Sequence, residues 1–189
     1  MIRGNTNSLG TSRVWLLSYF IGSIWLVSLV NFVAQHGLTQ FGVHPRTLHG
    51  LIGVLTSPWL HSGFGHLIAN TGGLLVLGWL TMWPRVNDFW VALLGGILGA
   101  GALAWLIGGS GTVHIGASGV VFGFAGYLIA RGYYERSWPT ALLAVGVGAT
   151  YGVSMLLGAL PLVLGVSWQS HAGGLLGGVM AAKFSWSKK

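Results

Sequence analysis

Apolar runs separated by short polar connections make up almost the whole chain. They cover residues 14–34, 65–83, 89–108, 117–131, 139–157 and 169–184, each near the roughly 20 residues a helix needs to cross hydrocarbon. None shows the alternation of a barrel strand. The pattern predicts an all-α membrane protein, a bundle of six transmembrane helices occupying residues 13–186 behind a short, polar, disordered cytoplasmic tail at 1–12. The connection 35–64 is long and holds His36, His44, His49 and His61 among apolar residues. A loop of that composition is expected to lie in the interface or partly in the bilayer. Trp83-Pro84 should stop the second helix, with Asp88 as N-cap of the third.

Composition agrees with this pattern. Of 189 residues, 53% are hydrophobic and 6% charged, against about a quarter charged in soluble domains. The formal charge of +7 does not mark a nucleic-acid binder, because the basic residues are scattered. Arg3, Arg13, Arg85, Arg131, Arg136, Lys183, Lys188 and Lys189 fall on one side of a six-span topology, and Arg46 alone on the other. The positive-inside rule then predicts that both termini are cytoplasmic. The first run is too long for a secretory h-region and lacks a convincing cleavage site, so it is read as a helix. There is no cysteine, which excludes thiolate chemistry.

Topology places three polar groups at one depth. His66 and Asn70 open the second helix, Ser118 opens the fourth and His171 opens the sixth, and all three helices run inward. At 1.5 Å per residue, the distances to Arg131 and Lys183 put Ser118 and His171 roughly 10 Å below the outer boundary. Each group has an ordinary explanation. A membrane serine can bond its own backbone, and a histidine can serve an interhelical contact. Their coincidence at one depth favours a site. Gly119 and Gly123 on the fourth helix, and Gly174 and Gly178 on the sixth, are small-xxx-small pairs directly below. They would let the two helices approach until Ser118 meets His171, as a nucleophile meets its general base.

The chain has only two acids, Asp88 and Glu135, both expected at the cytoplasmic side, so a dyad is possible and a triad is not. The Ser118 N–H, the Asn70 amide and the His66 ring are suitable oxyanion donors. Gly95 and Gly99, with Gly96 and Ala100, suit close packing of the third helix. No HExxH is present, and neither a cofactor nor a metal is called for.

Gly116-Ala117-Ser118-Gly119, His66 through Asn70, and His171 with Gly174 and Gly178 resemble the three signature segments of rhomboid intramembrane serine proteases. The resemblance extends from the first helix onward. It implies Ser118 as nucleophile, His171 as general base and then acid, and His66 and Asn70 at the oxyanion hole. It also implies transmembrane protein substrates, cut near the outer face, and a multi-pass location in the cell (inner) membrane. Two departures stand out. Ile52-Gly53 replaces a Trp-Arg pair of many members, which opens the question of how the first loop is braced, and Phe122 stands where a Tyr is common. His61 also resembles a family position, while His36, His44, His49 and His114 are read as structural. An inactive, client-binding relative and a small transporter are the alternatives.

Overall fold

The computed structural model describes residues 6–162 and 165–187. Its helices are α1 (Thr6–Val33), α2 (Gly50–Thr56), α3 (Phe64–Thr81), α4 (Asn87–Ile107), α5 (Ser118–Glu135), α6 (Trp138–Gly158) and α7 (Trp168–Ser187), with 3-10 turns at Gly37–Phe41 and Ser57–Trp59. Each of the six apolar runs is helical. By length and composition, four stretches can cross a membrane: Gly10–Val33, Phe64–Thr81, Asn87–Ile107 and Trp138–Gly158. α5 and α7 are less apolar, because they carry the serine, the histidine and several charged or small polar residues. Residues 6–12, expected in a disordered tail, extend α1; residues 1–5 of that tail lie outside the described residues.

α5 runs through the middle of the bundle, buried along most of its length. α4 and α7 flank it, and glycine sets how closely they approach. A Cβ on Gly174 would overlap the Gly119 carbonyl, and one on Gly178 the Gly123 carbonyl. Likewise Gly95 and Gly99 of α4 abut Gly177 and Gly173 of α7. Without an apolar-to-water driving force in lipid, such backbone contact is what holds helices together. α6 is looser, burying Thr140, Val147 and Met155 along its length.

The connection between α1 and α3 is folded against the bundle. Gly53 packs so tightly on the backbone of Gly42 and Val43 that no side chain fits, so the arginine of the common Trp-Arg pair has no room there. The brace comes from Arg46 instead. Its guanidinium donates to the carbonyls of Leu106 (3.2 Å) and Gly108 (2.8 Å) and to Ser110 Oγ (2.8 Å). Its backbone N–H donates to the Trp105 carbonyl (3.0 Å), and Trp105 Nε1 donates to the Thr47 carbonyl (2.8 Å). A cation on carbonyls at the end of a helix also complements the helix dipole.

At the opposite end of α5, Asp88 corrects an expectation. It lies in the first turn of α4 but makes no cap, since Val86 holds that position. Its side chain is 5% exposed and pairs with Arg85 (2.9 Å) and Arg131 (3.2 Å). Glu135, in the last turn of α5, joins the same cluster through Arg85. The reason is burial: an uncompensated charge at that depth is costlier than an unfilled cap.

Candidate active site

Ser118 is the first residue of α5, where a helix leaves its backbone N–H groups without intrahelical partners. Gly116, two residues earlier, adopts φ +112°, and a side chain there would collide with the His66 ring. Glycine is therefore required twice over, for the turn into the helix and for the closeness of His66.

His171, in the first turn of α7, lies with Nε2 2.7 Å from Ser118 Oγ. The other ring nitrogen, Nδ1, is 2.9 Å from the Gly158 carbonyl. A carbonyl only accepts, so Nδ1 carries the proton and Nε2 is left to accept from the serine hydroxyl. The Phe122 ring stacks on the imidazole at 4.2 Å between centroids and 12° between planes. A backbone carbonyl and an aromatic face thus orient the ring where a triad would use a carboxylate.

His66 and Asn70 face the same space. Ser118, His171, His66 and Asn70 all line one cavity of about 520 Å³, together with Ser62, His114 and Ser167. The four residues singled out from the sequence are thereby brought to one place. Asn70 is 6% exposed, and its amide is held from behind: Nδ2 donates to His61 Nε2 at 3.0 Å. His61 is fully buried. Its Nδ1–H donates to Ser28 Oγ (3.0 Å), which donates to the Trp59 carbonyl (3.1 Å). This relay fixes the His61 tautomer and leaves the second amide hydrogen of Asn70 for the cavity. Burial, aided by nearby His66 and opposed by the Trp59 backbone, pushes the His61 pKa down to about 4, so it accepts as a neutral ring.

Gly158 and Ser28 escape sequence reasoning. A carbonyl acceptor can come from any residue, and a single serine in an apolar helix is unremarkable. His61 was marked by its resemblance to a family position, but its bond to Asn70 depends on how the loop folds back.

A family model described as the rhomboid domain matches residues 48–188. Among similar proteins, an uncharacterized protein of Mycobacterium tuberculosis is 39% identical over 172 residues, covering 86% of this chain and 71% of its own length. An uncharacterized protein of Mycobacterium leprae is 37% identical over 173 residues, covering 86% and 67%. A protein of Arabidopsis thaliana named inactive RHOMBOID-like protein 8 is 29% identical over 121 residues, covering 61% of this chain and 33% of that protein. The match across three quarters of the chain, laid over a helical bundle whose glycines draw Ser118 against His171, leads to one assignment: the chain belongs to the rhomboid family.

Proposed function

We propose that this protein is an intramembrane serine endopeptidase that cleaves transmembrane protein substrates near the outer face of the cell (inner) membrane. It crosses that membrane six times with both termini in the cytoplasm. The single observation that carries the reading is the 2.7 Å contact between Ser118 Oγ and a His171 Nε2 whose partner nitrogen is tied to a carbonyl. In this reading His171 takes the serine proton as Oγ attacks the scissile carbonyl, then returns it to the leaving amine. The Ser118 N–H, Asn70 and His66 receive the oxyanion. Water enters through the cavity they line and hydrolyses the acyl-enzyme. Substrate segments must unwind to offer a carbonyl, which favours Gly and other weak helix formers near the outer boundary.

The competing reading is a client-binding member without catalysis, and the Arabidopsis relative's name speaks for it. Against it stands the retention of both Ser118 and His171 within hydrogen-bond reach. The transporter alternative has less support, since Ser118, His171, His66 and Asn70 line a single cavity and the charged side chains at the other end of α5 are paired with one another. Purified protein in liposomes should cut a tagged single-span substrate, and Ser118→Ala and His171→Ala should each lower the rate by about 10³-fold or more. Wild type that neither cuts the substrate nor labels with a fluorophosphonate would sink the hydrolase reading.

A further inference from the structure

His114 lies four residues before Ser118 on the connection between α4 and α5, 8% exposed. Its backbone forms a two-way bridge with Val43 of the first loop, both N–H to carbonyl distances being 3.0 Å. Gly116 N–H adds a 2.9 Å bond to the Ser57 carbonyl. The approach to the serine is thus bolted to the first loop.

The side chain of His114 reaches the other way. Nδ1 is 2.6 Å from Ser167 Oγ, and Nε2 is 3.0 Å from Thr112 Oγ1. Ser167 is the residue immediately before α7. Its hydroxyl accepts the Ser170 N–H (3.3 Å), its carbonyl accepts the His171 N–H (3.1 Å), and its Oγ lies 2.8 Å from Ser170 Oγ. These are the bonds of an N-cap, and the turn they define is the one that carries His171. The backbone contacts of Gly174 and Gly178 with α5 lie below the pair, and at its own height Gly119 faces the Ser170 carbonyl; to that packing, which sets closeness, His114 adds a directional hydrogen bond at the entry to α7.

We infer that His114 is a positioning residue, which through Ser167 fixes the first turn of α7 and so holds His171 in register with Ser118. The inference rests on the serine-hydrolase reading above. It assigns the coupling to Nδ1, not to the bulk of the ring or to the Thr112 bond. A displacement of about 1 Å between nucleophile and base is enough to cost on the order of a hundredfold in rate.

The test uses full-length protein in detergent and the second-order rate of labelling by a fluorescent fluorophosphonate, with thermal unfolding recorded for every variant. His114→Phe keeps the ring's bulk without either nitrogen, and should slow labelling by about tenfold or more. Ser167→Ala should do the same, and the double variant should be no slower than the slower single one, because both remove one link. His114→Asn, whose amide can occupy the Nδ1 position, should recover to within about threefold of wild type, while His114→Gln, which reaches the Nε2 position, should not. Comparison of Asn with Gln keeps the test sharp even if the Phe variant folds poorly. Wild-type labelling with His114→Phe, multiplying effects in the double variant, or equal rescue by Asn and Gln would each overturn the inference alone. Wild type as unreactive as Ser118→Ala would overturn the hydrolase reading, and the inference with it.

Discussion

At one end of α5, Asp88 is clasped by Arg85 and Arg131, with Glu135 beside them. At the other end, Ser118 bonds His171 and Asn70 bonds His61, each pair through neutral groups. The two clusters are about 20–25 Å apart along α5, from Ser118 to Arg131 and Glu135. Full charges, once paired under burial, lock side chains in one state and resist any change of partner. Neutral donors and acceptors are weaker individually but can pass a proton without creating an isolated charge. In the proposed reading, rigidity therefore sits at the end where nothing has to react, and the adaptable bonds sit where a hydroxyl must lose its proton. The lack of a carboxylate beside His171 follows from the same division: both acids are engaged at the far end.

Breaking the charged end should give the largest change in stability. Asp88→Ala would leave Arg131, whose side chain is 3% exposed, with only Glu135 at 4.0 Å as a counter-charge, and should cost about 3–5 kcal/mol. At a temperature where the variant stays folded, fluorophosphonate labelling should remain near wild type. A matching loss of labelling would show that the two ends are not independent.

The neutral end should be sensitive to acid. With its folded pKa at about 4 and the unfolded value at 6.5, His61 takes up a proton more readily in the unfolded chain. Its contribution is fully present above pH 6.5 and is lost as pH falls from there toward 4, to roughly 3 kcal/mol in all. Unfolding temperatures measured from pH 8 to pH 4 should drop across that window in wild type and drop less in His61→Asn. Equal slopes in the two proteins would remove His61 from the account.

The smallest stability effect is expected at the join between the helices. Gly174→Ala pushes a Cβ onto the Gly119 carbonyl and should cost about 1–3 kcal/mol. It should also slow labelling, because Gly119 adjoins Ser118. Gly148→Ala on α6, where a Cβ meets open space, is the control and should change neither measurement. Unaltered labelling in Gly174→Ala would mean that the glycine contact does not set the distance between Ser118 and His171.

The bracing of the first loop shows where sequence reading stops. Ile52-Gly53 reveals the absence of a Trp-Arg pair, but nothing in the order of residues says that Arg46, bent into φ +57°, takes over by gripping the end of α4 about 60 positions later. Asp88 was misread for a related reason. An acid at a helix start looks like a cap, and only the approach of Arg131 from α5 converts it into a buried ion-pair partner. The oxyanion candidates were legible as residue types, yet the bond from Asn70 to His61 and the orientation of His171 by Gly158 depend on backbone positions far away in the chain.

Apolar run lengths, the positions of His66, Asn70, Ser118 and His171 near helix starts, and the small-xxx-small spacing that follows two of them were decided by the sequence alone. Each follows from a helical repeat of fixed rise and from which side chains lipid tolerates. Tertiary structure decided which neutral group orients the imidazole, what replaces the missing loop brace, and which acid is buried with which arginine. Those outcomes are set by contacts between segments distant in the chain, and a repeat read along one helix carries no information about them.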